Sequence, residues 1–408
     1  MHLSVKEKKS MQTKTVFSLL LVYMFLAMLG AGLVIPILPQ LLIEFGASGK
    51  AAGYLVSAFG LTQFLFSPIA GNIADRYGRK PMIIVGLLLF ALSNLIGALA
   101  SNFTIFLVAR FIGGMGSAAL VPSIMAYIVD ITSDEKRTRA MSFLGASMSS
   151  GFIVGPGLGG LLAELGTRAP FFTSALVGLV AAMSCLVILP ESQKARVQIE
   201  ATFKKENIFI QLVQSIKSPY FILLFMVFSL TFGLAHFETA YPLVVTQKYG
   251  FTTRQISILF MICSLGGTVT QLLLTGWLTN RFGEKRIISS MLLLSASALV
   301  LLLLSANFFY VMVITMLYFS FNNILRPTIN TLLSKEAGNE QGFVAGLNNA
   351  YMSLGQIFGP VLAGYLFDVH INLPYLFGAL VLIVSSAIAM KRIGMKNEDR
   401  LQHKSSIQ

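Results

Sequence analysis

Residues 71–81 read GNIADRYGRKP, and residues 276–283 read GWLTNRFG. Gly71 matches Gly276, Arg76 matches Arg281 and Gly78 matches Gly283, each pair 205 residues apart. Both stretches are short polar turns set between long apolar runs. The offset recurs along the chain. Pro122 matches Pro327 at 205 residues, and GPGLGG at 155–160 matches GPVLAG at 359–364 at 204 residues. A constant offset across separate motifs marks an internal repeat, so the chain is two halves built on one plan.

Composition says what the halves are made of. Of 408 residues, 55% are hydrophobic and 12% charged, against about 25% charged in soluble proteins. The mean hydropathy is +0.76. No single core could hide that much apolar surface, which excludes a soluble enzyme or a disordered chain and points to a polytopic membrane protein. A bilayer core needs about 20 apolar residues per helix. Uncharged runs at 15–43, 51–74, 140–163, 169–190, 255–280, 341–367 and 369–390 give one helix each. The run 218–247, which contains Glu238, gives another. The runs 81–129 and 287–334, interrupted only by Arg110 and Arg326, give two helices each. The expected fold class is all-α membrane, with twelve spans in two six-helix bundles. The expected segments are a tail 1–14, a bundle 15–190, a central loop 191–217, a bundle 218–392 and a tail 393–408. Parallel six-span repeats with a site between them near mid-membrane are a transporter architecture.

The charges sort by side. The tails and the even-to-odd loops hold 24 of the 30 Lys and Arg, and the other loops hold only Lys50, Arg168, Lys248 and Arg254. By the positive-inside rule both termini are cytoplasmic, in the cell (plasma) membrane. The net charge of +13 is thus a topology signal and not a nucleic-acid footprint. No cleavage site follows the first apolar run, so the basic N-terminus reads as a retained tail. The two cysteines, Cys185 and Cys263, lie in apolar runs and give neither a disulfide framework nor metal spacing.

Four features carry chemistry. In the first turn, Gly71 allows close helix approach, Gly78 can take positive φ and Pro81 can open the next helix. Asp75 can accept hydrogen bonds from a helix N-terminus or an Arg. With Arg76, Arg79 and Asp130 it forms a candidate conformational latch; an ordinary positive-inside turn is the plainer reading. The second copy has Asn280 in place of Asp75, so its latch should be weaker. Span 5 carries Gly151, Gly155, Pro156, Gly159 and Gly160, which permit close backbone packing and a bend. Span 1, LGAGLVIPILP at 29–39, reads as a helix kinked near its outer end.

Arg110 and Glu238 are the sharpest pair. An ionisable residue inside a span is costly and marks a functional site by default. Counting from the loops places both at similar depth in the outer half of the membrane. A carboxyl group in low dielectric can hold a proton near neutral pH and release it when its surroundings change. Glu238 is therefore the candidate proton and substrate-cation site, with Arg110 tuning it. Plainer readings are an interfacial residue at the Pro242 kink for Glu238 and a backbone hydrogen-bonder for Arg110. Arg326 binds helix carbonyls or contacts cavity groups. Gln63, Asn323, Asn348 and Gln356 are candidate cavity polar groups. Phe143, Phe152, Tyr241, Phe319 and Tyr351 are candidates for stacking or cation–π contact, although packing is the commoner use of an aromatic.

Together the turn at 71–81, the glycine motif at 151–160, HFETAYP at 236–242, LRP at 325–327 and QGF at 341–343 resemble the major facilitator superfamily. Within it they resemble the twelve-span drug/proton antiporters of the Gram-positive quinolone and multidrug exporter type, over about residues 15–392. The resemblance implies functionally important positions at Arg110, Glu238 and Arg326. Relatives of this type often carry an acid three residues before the span-10 Arg; here that position is Asn323.

The expected function is export of amphipathic, often cationic compounds, such as dyes and quinolone-type antibiotics, in exchange for protons by alternating access. The expected partners are those compounds, protons and the lipid bilayer, with the chain acting as a monomer and without nucleic acid. No cofactor or metal is expected. The chain lacks a Walker A pattern, which leaves the proton gradient as the driver. An exporter of a sugar or another endogenous metabolite is the alternative, disfavoured by the aromatic, weakly polar spans. A membrane enzyme or sensor finds no catalytic cluster to support it.

Overall fold

The computed structural model describes residues 5–192, 208–338 and 340–405, with side chains described except at 5–13, 134, 138, 208–210, 341–342 and 392–405. Parts of both expected tails and residues 193–207 of the expected central loop lie outside the described residues. The described chain is helical. In order the helices are α1 (Val5–Leu33), α2 (Leu38–Glu44), α3 (Gly49–Tyr77), α4 (Arg79–Leu99), α5 (Phe103–Ile131), α6 (Asp134–Ala163) and α7 (Ala169–Ile188). They continue as α8 (Ile208–Ser215), α9 (Phe221–Tyr249), α10 (Thr253–Phe282), α11 (Glu284–Leu301), α12 (Phe308–Ala337), α13 (Gln341–Val369) and α14 (Leu373–Ser405).

Among the described residues, eleven helices are long and apolar enough to cross a membrane, with α1 and α2 counted as one span, Lys14–Glu44. The twelfth is α11. Its first turn carries Glu284, Lys285 and Arg286, and behind them the helix is uncharged over 287–301, about 22 Å at 1.5 Å per residue. The kink expected in span 1 is a break: α1 stops at Leu33, a 3₁₀ turn spans Ile35–Ile37, and α2 restarts with Pro39 in its first turn. Proline has no N–H and fixes φ, so Pro36 and Pro39 suit a stop and restart better than a continuous helix.

The chain divides into two compact units, residues 1–203 with 252–261, and residues 204–251 with 262–408. In the first unit α4 packs on α5 and α7, α1 on α6, and α3 on α5. Leu20, Tyr23, Met24, Ile83, Leu87, Leu120, Ile124 and Tyr127 form the core. In the second unit α9 packs on α13, and α11 on α12 and α14. The repeat read from the sequence extends to the helix starts. Asn102 caps α5, its Oδ1 accepting from the Ile105 N–H at 3.0 Å. Asn307, 205 residues on, caps α12, accepting from Phe309 and Tyr310 at 3.0 and 3.1 Å.

The glycine motif of α6 has two faces. A Cβ at Gly151, Gly155 or Gly159 would lie 2.4–2.7 Å from the carbonyl oxygens of Phe25, Leu29 and Leu33 on α1. These residues recur every four positions on both helices, so one stripe of α6 lies directly on the α1 backbone. Gly157 and Gly160 instead face Met261 and Ser257 in the first turns of α10, which group with this unit. The same device recurs in the second unit, where Gly355 and Gly359 of α13 meet the backbone of α9 at Phe228 and Phe232.

Candidate functional site

The second unit centres on α9. Between Leu223 and Val245 its half-buried positions are Phe225, Phe228, Thr231, Leu234 and Glu238, at three- and four-residue spacing, while Phe237, Thr239, Ala240 and Tyr241 are buried. The former make one half-buried stripe, largely apolar and ending in a carboxylate. No hydrogen bond or salt bridge to the Glu238 side chain is found among the described residues. Its charge acts instead on Arg326 and Tyr318 of α12, and Arg326 is the cation that acts on it. Arg326 is thus the cation whose charge reaches Glu238 within the second unit, whereas Arg110, the partner expected from depth, belongs to the first unit.

Arg326 is exposed, and Asn323, one turn before it on the same face of α12, is half-buried. The Asn323 Nδ2 lies 2.8 Å from where Gly267 of α10 would carry a Cβ. Beneath this face sits an aromatic core. Phe237 packs on Tyr318 at 4.3 Å between centroids, on Tyr241 at 4.8 Å and edge-on to Phe319 at 5.8 Å. Tyr241 is enclosed, its hydroxyl accepting from Thr315 Oγ1 at 3.1 Å, and Phe319 is buried. Tyr241 thus belongs to the buried face of the Glu238 helix, and Phe319 of α12 packs in the core against that face. Tyr351 is also buried, with its hydroxyl 2.8 Å from Ser215 Oγ of α8. On α13, Gln356 is exposed and Asn348 half-buried, with the Asn348 Oδ1 enclosed and unpartnered.

In the first unit Arg110 lies in a small pocket between α1, α3, α4 and α5, lined among others by Met28, Phe59, Phe90, Ser93, Asn94 and Ser117. Its guanidinium sits 4.8 Å from the Phe59 ring centroid, and Nε donates a long 3.5 Å bond to the Leu55 carbonyl. Ser93 and Asn94 are spent on helix carbonyls, at 2.7 Å to Ala109 and 2.9 Å to Phe90. The guanidinium is thus a cation among apolar and aromatic walls with no acidic partner in the pocket. Gln63 is half-buried one turn beyond Phe59. Phe152 is half-buried on α6. Phe143 is exposed, packed edge-on to Phe17 and lying under the Arg139 guanidinium.

The first turn is more connected than its sequence suggests. Arg79 pairs with Asp75 and, at 3.5 Å, with Asp130 of α5. The Asp130 carboxylate also accepts from Ser192 Oγ at 2.6 Å. Of the two partners open to Asp75, a helix N-terminus or an Arg, it takes Arg79, and the start of α4 is held by Glu191, which takes the N–H groups of Arg79 and Lys80 at 2.8 and 3.2 Å. Gly78 makes room for it: φ is +110°, and a Cβ there would lie 2.8 Å from the Glu191 carboxyl carbon. Arg76 is exposed over Tyr77, and Gly71 has open space around it. Glu191 and Ser192 had no sequence signal beyond an acid and a hydroxyl just past a span end.

The sequence profile of the Major Facilitator Superfamily matches residues 20–238 and 223–406. The chain is 42% identical over 394 residues to "Multidrug resistance protein 2" of Bacillus subtilis strain 168, covering 96% of this chain and 98% of that one. It is 34% identical over 351 residues to "Quinolone resistance protein NorA" of Staphylococcus aureus strain Mu50, covering 86% and 89%. In fold it is similar to a bacterial homologue of the human lysosomal transporter Spinster (TM-score 0.76, 13% identity, 92% and 96% covered). The nucleoside transporter NupG is similar to the same degree (TM-score 0.76, 14% identity, 92% and 98% covered). Two matching halves of one profile, relatives spanning nearly the whole chain and the duplicated helical plan agree: the chain belongs to the Major Facilitator Superfamily.

Proposed function

We propose that this chain is a multidrug exporter that exchanges protons for amphipathic, often cationic compounds, dyes and quinolone-type antibiotics among them. It works by alternating access in the plasma membrane, as a monomer with both termini cytoplasmic. Support for the cargo comes from relatives named for multidrug and quinolone resistance. Support for the coupling comes from one observation: Glu238 ends a half-buried, largely apolar stripe of α9 and, among the described residues, has no hydrogen-bond partner and Arg326 as the counter-charge within its unit. A carboxylate so placed has three rival partners: Arg326, a substrate cation and a proton. A proton removes its attraction for either cation. Binding of proton and drug is then mutually exclusive, and a ligand moves a conformational equilibrium only through such differential affinity.

One acid at the site implies about one proton per cycle. Exchange of one proton for a monovalent cation is electroneutral and draws on the pH gradient alone, about 1.4 kcal/mol per pH unit. In everted vesicles with an imposed pH gradient, Glu238→Gln is expected to abolish gradient-driven ethidium transport. In the unaltered protein that transport should be insensitive to a potassium–valinomycin potential. Normal gradient-dependent transport by Glu238→Gln would falsify the carboxylate's role.

A further inference from the structure

His236 lies two residues before Glu238, about 200° around the helix, and is buried. Its ring spans two neighbouring helices. Nδ1 is 3.2 Å from the Gly359 carbonyl oxygen of α13, and Nε2 is 2.8 Å from the Pro374 carbonyl oxygen of α14. Both partners are backbone carbonyls, which only accept. A neutral imidazole carries one N–H and can satisfy one of them, leaving its other nitrogen lone pair aimed at an oxygen lone pair. An imidazolium donates to both. Two aromatic faces complete the site: Phe232 stacks on the ring at 5.6 Å between centroids, and Phe377 lies at 6.2 Å. Aromatic faces favour a cation, whereas burial opposes one.

α13 offers the ring the Gly359 carbonyl, and α14 offers it the Pro374 carbonyl and the Phe377 ring. The titratable side chains on the helices packed around it include Glu238 and Tyr241 of α9, Asp368 of α13 and Tyr375 of α14. Two carbonyls and two aromatic faces stand against burial in setting its protonation.

We propose that His236 is a proton-binding positioning residue: protonated, it ties α9 to both α13 and α14, and on losing its proton it gives up one tie. The consequence for transport rests on the proposed coupling at Glu238, because the helix so held is the one that aims that carboxylate. The two-acceptor geometry does not rest on it.

The chain has four histidines. Replacing His2, His370 and His403 leaves His236 alone for nitrogen-15 solid-state NMR in liposomes. We expect both ring nitrogens to carry hydrogen at pH 5.5 and one at pH 8.5. A ring with a single N–H across that range overturns the proposal. The ratio of ethidium transport at pH 5.5 to that at pH 8.5, at a constant pH difference, is expected to change at least threefold in His236→Gln, whose amide donates without titrating while Glu238 still does. An unaltered profile in His236→Gln also overturns it. If Glu238→Gln transports normally while the ring titrates, the coupling scheme fails and the His236 assignment stands; a ring that does not titrate beside an inactive Glu238→Gln gives the reverse.

Discussion

The two turns that reveal the repeat hold the same place in each unit with opposite charges. After Gly78, Arg79 opens α4 and pairs with Asp130 of α5. After Gly283, 205 residues on, Glu284 opens α11 and pairs with Lys335 of α12, itself 205 residues beyond Asp130. The fold requires an ion pair between these helices and is indifferent to its sign. The helix dipole is not indifferent. A helix N-terminus favours an acid, and α11 supplies its own in Glu284. α4 starts with two cations, Arg79 and Lys80, and takes its acid from Glu191 at the end of α7, 112 residues away. The inverted pair in the first unit therefore brings in a third helix, and with Asp75 and Ser192 it becomes a network.

The largest break in this comparison is reversal of Arg79. Its pair with Asp130 is 14% exposed on both sides, whereas Glu284 and Lys335 are 23% and 61% exposed. Arg79→Glu sets a fourth carboxyl group beside Asp75, Asp130 and Glu191. It is expected to cost about 1–3 kcal/mol, between the values for exposed and buried pairs, with transport reduced more than tenfold. Arg79→Glu with Asp130→Lys copies the second repeat and should recover part of the thermal stability lost. Glu284→Lys should cost less than 1 kcal/mol. Equal losses at the two turns in thermal melts of detergent-purified protein would refute the assigned asymmetry.

A smaller effect separates the two glycines. Gly78 and Gly283 have φ of +110° and +79° with extended ψ, a region other residues avoid, at about 1–3 kcal/mol each. Only Gly78 also has a neighbour in the way, since a Cβ at Gly283 meets nothing within 4 Å. Gly78→Ala should therefore cost about 1 kcal/mol more than Gly283→Ala, the worth of the displaced Glu191 cap. In a Glu191→Ala background that excess should vanish. An excess that survives removal of Glu191 assigns the difference to strain alone.

These features were unequally legible in the sequence. The spans were plain because apolar runs of 20 residues have no other use, and the repeat was plain because both halves keep their turn glycines and helix prolines. The close packing of Gly151, Gly155 and Gly159 on α1 followed from residue size. Side-chain azimuth did not follow. Depth singled out Arg110 as the partner of Glu238 and passed over Arg326, the cation whose charge reaches Glu238 within the second unit, 88 residues along the chain. Tyr241 and Phe319 were candidates for the cavity, and both turn into the core behind Glu238. Asn94 and Ser93, in the Arg110 pocket, sit in a span whose other residues drown a polar signal. Glu191 follows Pro190 at a span end, where an acid reads as solvated until the turn it caps is known.

The smallest effect tests whether Glu191 acts by charge or by geometry. Glu191→Gln keeps a side-chain oxygen able to accept from Arg79 and Lys80 and loses only the negative charge beside two cations and a helix N-terminus. The expected loss is about 0.3–1 kcal/mol. It should shrink in 0.5 M salt, because exposed charges are screened within a few ångströms at that strength. Glu191→Ala removes the acceptor as well and should lose more, with a remainder that salt does not touch. If Glu191→Gln melts like the unaltered protein at low salt while Glu284→Gln is destabilised, α4 needs no acid from α7, and the two turns differ in hydrogen bonding alone.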